Sequence, residues 1–498
     1  MPETLSAQGL KSGLDAAAGL DSKATMERTA ERQEAWTALA VYGLLVAVGW
    51  LWGYRMEIPW HYYQLLPEHA LAHRLSESLL YLHAQPPLLN LLLGLVLKVS
   101  QQAGIRPEIL LLVGHVGAGG VAVYGYARLC QRMLRGRWLR RIAIALFVLH
   151  PVLYMSLFSY FYSFHELVIF ALLPLAVLAY AQSGQTISYM AICFGVVLLA
   201  QSHSLFHLAF GLTVLVALPL LARPRGNPGR FSPAKVAWLF VSLVLLLAWP
   251  LKNGLIFGSF AASSWTGYSL ALELPVDIDA LPARNWEVPE KFAAIPVLTQ
   301  RAKRGGAPNW NHHSIIAHSR NQGELARATV LDSPGGLGRK ALLNYWNYTR
   351  FSGRNPYSGA FGNTQSPIPN EAESWMWAYE KFVFLDPRGR GSLAHRAYRS
   401  PPKQSWDPGL FTFALPVILI AAGWQIARRF RSDRSRSVTA LFMLFSASWV
   451  LLATLLVDGS EANRIRFSTE PYLVMLALFA IDSLHRRVRE GTETRGAT

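Results

Sequence analysis

Ten stretches of this chain are apolar over lengths close to what a bilayer demands, and no other feature restricts the fold as much. They are 35–53, 108–130, 142–158, 167–182, 187–201, 206–222, 236–257, 409–427, 438–457 and 471–484. A helix that crosses the hydrocarbon needs about 20 mostly apolar residues, within a range of about 17–25. Several of the runs fall slightly short of that. Composition agrees with a membrane setting: 52% of residues are hydrophobic and only 15% charged, against about 25% charged in an ordinary soluble domain. The expected fold is an all-α integral membrane protein with about ten transmembrane helices.

An eleventh apolar stretch, 86–99, opens on Pro86-Pro87. At about 14 residues it is expected to be embedded without crossing. That choice fixes the topology. With 86–99 not crossing, the segments 131–141, 223–235, 428–437 and 485–498 fall on the side of the N-terminus. They carry five, four, five and four Lys/Arg. Short cytoplasmic loops collect such residues, so both termini are expected in the cytoplasm. The chain then divides into an N-terminal tail (1–34), a first membrane part (35–258) and an outer segment (259–408). A second membrane part (409–484) and a cytoplasmic tail (485–498) follow. The first membrane part includes an outer loop at 54–107. Residues 1–34 are polar and mixed in charge, and no secretory cleavage pattern follows them.

The net charge is +17, with 47 Lys/Arg against 30 Asp/Glu. In a soluble chain this would suggest nucleic acid. Here the basic residues concentrate in the four cytoplasmic segments, so the excess reads as topology and no nucleic-acid partner is expected. Cys130 and Cys193 both lie in apolar runs and offer neither a disulfide framework nor a thiolate metal site.

The candidate chemistry lies on the opposite side. Glu57 stands a few residues past the first span, where a carboxylate at the membrane boundary can take a proton from a hydroxyl. A solvated interfacial glutamate explains it equally well. In the next stretch, His83 and Gln85 precede the double proline, which ends a helix and can hold them at the mouth of the embedded segment. Both can hydrogen-bond a sugar or phosphate oxygen. His165 and Glu166 follow in the second outer turn, with Gln201, His203 and His207 around the third. Lys252 lies within a span near its outer end, a position that points to function. Before the last span, Asp458, Glu461, Asn463, Arg464, Arg466 and Glu470 crowd together. Guanidinium groups there suit an anionic headgroup or phosphate, unless they pair with Glu461 and Glu470. His312-His313 is a weak metal signal. In the long outer segment, Leu337, Leu342, Leu343 and Trp346 have spacings that could make one apolar helix face.

Three features together resemble the GT-C superfamily of polytopic glycosyltransferases. They resemble in particular its bacterial branch related to protein O-mannosyltransferases and to the aminoarabinose transferase that modifies lipid A. The features are an acid in a long first outer loop (Glu57), the run Gln85-Pro86-Pro87-Leu88-Leu89-Asn90, and the late turn from Asn463 to Pro471. The resemblance implies an inverting transferase of the bacterial inner (plasma) membrane. Such enzymes move a sugar from a polyprenyl-phosphate donor to an acceptor hydroxyl on a lipid, glycan or protein at the outer face. Glu57 would be the base, with Glu166 as second acid. Lys252, Asn463, Arg464 and Arg466 would bind the donor phosphate, and His83, Gln85 and His203 would orient the substrate. No cofactor is required, although such sites admit a divalent metal; no ligand set for one is evident. The rival readings are a ligase or polymerase of lipid-linked glycans and, further off, a transporter.

Overall fold

The computed structural model describes residues 7–222, 232–272, 285–303, 306–349, 375, 378–379, 410–457 and 462–495, Tyr63 excepted. Among them there are only helices, turns and two isolated bridges. Six helices are long and apolar enough to cross a membrane: Thr29–Leu51, Pro107–Met133, Tyr162–Ser183, Pro233–Phe257, Leu410–Arg429 and Arg434–Leu456. The bent pair Arg137–Val148 and Pro151–Leu157 passes the same test together, as a broken span or a re-entrant loop, and would make a seventh if it counts as one span. Three of the ten expected spans fall short of that test. Thr186–Ser202 and Leu208–Leu221 are apolar but shorter. The stretch 471–484 is the start of Glu470–Arg495, where Asp482 cuts the apolar run.

In chain order the helices are α1 (Ala7–Leu51), α2 (Glu68–His73), α3 (Leu75–Leu80), α4 (Leu88–Ala103), α5 (Pro107–Met133), α6 (Arg137–Val148) and α7 (Pro151–Leu157). Then come α8 (Tyr162–Ser183), α9 (Thr186–Ser202), α10 (Leu208–Leu221), α11 (Pro233–Phe257), α12 (Thr266–Leu272), α13 (Pro296–Thr299), α14 (Ser314–Asp332) and α15 (Pro334–Tyr348). The last are α16 (Leu410–Arg429), α17 (Arg434–Val457), α18 (Ala462–Phe467) and α19 (Glu470–Arg495).

The bundle has two chemically different poles. At one, Glu31 and Glu34 of α1 pair with Arg140, Arg137 and Arg141 at the start of α6. The same pole joins Asp482 to the backbone of Gly136 and Arg434 to the carbonyl of Leu221. It also joins Arg429 to Ser483 and Arg436 to Arg132. The basic segments 131–141 and 428–437 thus meet at one end, together with the end of α10 and the middle of α19. The other pole gathers the end of α1, the α7–α8 turn, the α9–α10 turn and the segment after α11. There, Tyr54 stacks on Phe158 and the Trp449 indole donates to Leu205. Gly49 lets α1 approach that close, since a Cβ would stand 3.0 Å from the Phe158 ring.

The segment after α11 holds more helix than the expected stretch near 337–348. α12 packs along α14, and α15 lies against α17. The proposed single apolar face of α15 divides. Leu337 turns inward beside Ala271, Ala326 and Val330, while Leu342 is 55% exposed. Five residues at 100° each set these two leucines about 140° apart around the helix, too far to share a face.

Candidate functional site

Three knots of polar residues stand out, two of them at the pole away from the arginine clusters. The first is built on the α7–α8 turn. Glu57 pairs with it through the backbone: its N–H donates to Phe158 O at 2.9 Å and its carbonyl accepts from Tyr160 N–H at 3.0 Å. This two-bond bridge fixes the carboxylate at the edge of the bundle, half-buried, and burial raises its pKa. Eight residues after Phe158, Glu166 lies fully buried in the second turn of α8. Its Oε1 stands 3.4 Å from His203 Nδ1, and the His203 ring stacks on Tyr162 at 4.5 Å. Of the residues expected from sequence, Glu166 and His203 therefore meet, and Glu57 is tied by its backbone to the turn that leads into α8.

The second knot ties the first outer loop to the segment after α11. His83 is buried, with Nε2 3.0 Å from the carbonyl of Asn311 and Nδ1 2.7 Å from Ser264 Oγ. A carbonyl only accepts, so Nε2 carries the proton and Nδ1 accepts from the serine hydroxyl. Burial, and after it the charge of Lys252, lowers the His83 pKa to about 3, which keeps the ring neutral. Asn311 completes the tie. Its Oδ1 accepts from the N–H groups of His83 and Ala84, and its Nδ2 donates to Tyr81 O. Lys252 reaches out of α11 to the carbonyl of Leu82 and lies over the Trp249 ring. Gln85 is buried in the same turn. His83 spends both ring nitrogens inside the protein, so it holds this turn in place and presents no ring nitrogen to a substrate.

The third knot lies within the bundle. Arg466 is wholly buried, and its Nε and Nη2 donate to Glu470 Oε1 at 3.0 and 2.7 Å. Its Nη1 donates to the carbonyl of Tyr348. Glu470 Oε2 receives His150 Nε2 at 2.6 Å, while His150 Nδ1 accepts from Val152 N–H and caps α7. Arg466 was expected at a donor phosphate; the structure gives its guanidinium a carboxylate of the chain itself. Asn463 and Arg464 belong to the same short helix α18, and their side chains lie outside the described residues, as do Asp458 and Glu461.

His150 belongs to no motif, and its one mark in the sequence is its place before a proline inside an expected span. Its setting follows from that proline. α6 and α7 meet at a bend of 41°. There the N–H of His150 turns to Phe147 O and that of Leu153 to His150 O. The carbonyls of Leu146 and Leu149 lose their helical partners, a cost of several kcal/mol each if left unmet in lipid. Two aromatic residues from the segment after α15 meet them: the Tyr379 hydroxyl donates to Leu146 O at 2.8 Å and the Trp375 indole to Leu149 O at 3.1 Å.

A cavity of about 240 Å³ opens beside this bend. Its walls are mostly apolar, including Leu146, Leu153, Phe411, Ile418, Val474 and Ala477, and its polar groups are His150, Glu470, Tyr126 and Tyr379. Ligand cavities commonly combine an apolar lining with a few placed polar groups. Among the described residues, no three His, Cys, Asp or Glu side chains gather as a metal would need.

Lys303 is a further residue that no sequence signal marked. It is buried, and its Nζ donates to the carbonyls of Tyr62, at 2.5 Å, and Leu65. Burial lowers its pKa to about 7. Between about pH 7 and the unfolded lysine value near 10.4, the unfolded chain binds one proton more than the native one. Stability should therefore rise with pH across that window, by up to about 1.4 kcal/mol per unit from this group. Lys303→Met should flatten the rise in thermal unfolding curves recorded from pH 7 to 10. An unchanged slope would mean that the amine is solvated.

No family model matches the chain, and neither a curated protein nor a solved structure is similar enough to count as a match.

Proposed function

We propose that this protein is a membrane transferase that takes a sugar from a polyprenyl-phosphate donor and passes it to an acceptor hydroxyl at the pole of Glu57. The observation that carries the reading is the cavity beside the α6–α7 bend. It combines an apolar lining at membrane depth with the buried His150–Glu470–Arg466 group. A substrate with a long apolar tail and a polar head has that same division.

In this reading the chain crosses the bilayer ten times, with the bent α6–α7 pair counted once and α9, α10 and the start of α19 as short crossings. The arginine-rich pole faces the cytoplasm of a bacterium, both termini lie there, and α4 stays on the outer side without crossing. Clustering of segments 131–141 and 428–437 at one pole supports this arrangement.

Glu57, desolvated and above its ordinary pKa, takes the proton of the acceptor hydroxyl. The hydroxyl oxygen attacks the anomeric carbon from the side opposite the phosphate, and the bond from that carbon to the phosphate oxygen breaks. Polyprenyl phosphate leaves and the configuration inverts. Positive charge stabilises the departing phosphate. Lys252 supplies it from its place on Leu82 and Trp249, with Arg464 as a second cation and Asn463 as a neutral hydrogen-bond donor in this reading. Glu166 and His203 hold the α8 and α9 ends that frame Glu57.

Filling the cavity tests the lipid part of this reading. Ala477→Trp places an indole in its wall. Protein purified from membranes in mild detergent should then carry less co-purified isoprenoid lipid by mass spectrometry than the wild type, at equal yield. Equal isoprenoid content in both would remove the cavity from the reading.

A further inference from the structure

We propose that the outward face of α15 rests on the outer boundary of the bilayer, so that the segment after α11 is moored to lipid as well as to protein. The inference depends on the chain being a membrane protein and not on what it catalyses. One face of α15 is fixed by the bundle. Asn344 Nδ2 donates to Leu455 O at 2.9 Å, the Tyr345 hydroxyl donates to Thr412 O at 2.6 Å, and Tyr348 is buried. Leu455 lies at the end of α17 and Thr412 at the start of α16, so α15 lies over the rim where both helices end.

The opposite face follows from helical spacing. Arg339, Leu342, Leu343 and Trp346 stand at i, i+3, i+4 and i+7, which groups them on one side, with Arg339 and Leu342 exposed and Leu343 and Trp346 half-buried. A single exposed leucine means little on any protein. Here the position gives it meaning. Leu410 on α16, and Leu452 and Leu456 on α17, are exposed beside the same rim. These belong to helices long and apolar enough to cross a membrane, so their exposed side chains face lipid. The α15 face continues that surface outward. It also has the make-up of an interfacial helix: leucines to sit at the headgroup–acyl boundary, a tryptophan suited to the same level, and an arginine for lipid phosphate.

Such a mooring would complement the knot at Asn311. The outer segment would be tied to the first outer loop on one side, and on the other to the bilayer over the ends of α16 and α17. Cargo reaching the polar pole would then pass between two fixed edges.

Site-specific quenching decides the matter. Both native cysteines are buried, so Leu342→Cys can be labelled selectively with an environment-sensitive dye in the full-length protein. Glu290→Cys, an exposed position in the same outer segment, serves as the aqueous reference. In nanodiscs made with brominated-acyl phospholipid, the label at 342 should be quenched several-fold more than the label at 290. Aqueous iodide should show the reverse order. Iodide quenching of both positions alike, without lipid quenching at 342, would place this face in water. Protection from both quenchers would place it against protein. Either result overturns the proposal.

Discussion

Arg466→Met is expected to be the most damaging single substitution outside the membrane-facing surface. The guanidinium is wholly buried and donates to Glu470 and to the Tyr348 carbonyl. Removing it leaves the Glu470 carboxylate buried with only the His150 N–H beside it. Breaking a buried pair by deleting one partner costs about 3–5 kcal/mol, a large share of the 5–15 kcal/mol by which proteins are stable. Thermal unfolding in detergent should show a large drop in midpoint, with loss of yield. The double variant Arg466→Met/Glu470→Gln should recover much of the loss. It buries no charge, and the new amide oxygen still accepts from His150 Nε2. A double-mutant cycle in which the two changes simply add would mean that the pair is not coupled, and the account of the third knot would fail.

Glu57→Gln should leave the fold intact and cut transfer by orders of magnitude. Glutamine keeps the shape of the side chain, and the bridge to Phe158 and Tyr160 uses only the Glu57 backbone, so the α7–α8 turn should hold. What is lost is the proton acceptor. General-base catalysis contributes typically 10²–10⁴-fold, and the variant should fall by about that factor in kcat with donor binding preserved. The pH profile offers a second reading. Burial raises the pKa of Glu57, so the carboxylate becomes a base only above the ordinary glutamate range. The acid limb of the wild-type profile should be displaced upward accordingly, and residual Glu57→Gln activity should lack it.

The parts of this molecule that the sequence reveals are those that a single residue stretch reports. A run of some 20 apolar residues is a helix in lipid whatever surrounds it, so α5, α8, α11, α16 and α17 stand close to their expected limits, whereas α1 begins at Ala7, well before the expected 35. Clustered arginines likewise report a common side, and segments 131–141 and 428–437 do meet. Short spans are less legible. α9 and α10 each bury one face against their neighbours and leave apolar side chains such as Phe194 and Leu220 exposed on the other. Partnerships are not legible at all. His150 and Glu470 are 320 positions apart, and His83 and Asn311 are 228 apart. Glu57 and His83 drew attention for their place in the sequence. Glu57 keeps a carboxylate at the rim, whereas the His83 ring is consumed by a tie that only the folded chain reveals. Lys303 lies between Arg301 and a glycine pair, with no local pattern to mark it. Its partners are two carbonyls of a loop some 240 residues earlier.

The most direct test of the account is donor turnover by the purified protein. Full-length wild type and Glu57→Gln would be reconstituted into proteoliposomes with a radiolabelled polyprenyl-phosphate sugar and a membrane extract as the source of acceptor. Release of polyprenyl phosphate would be followed by thin-layer chromatography. The account predicts release by the wild type, dependent on the extract, and none above background by the variant. Equal release by both, or no turnover of any polyprenyl-phosphate sugar by well-folded wild-type protein, would contradict it.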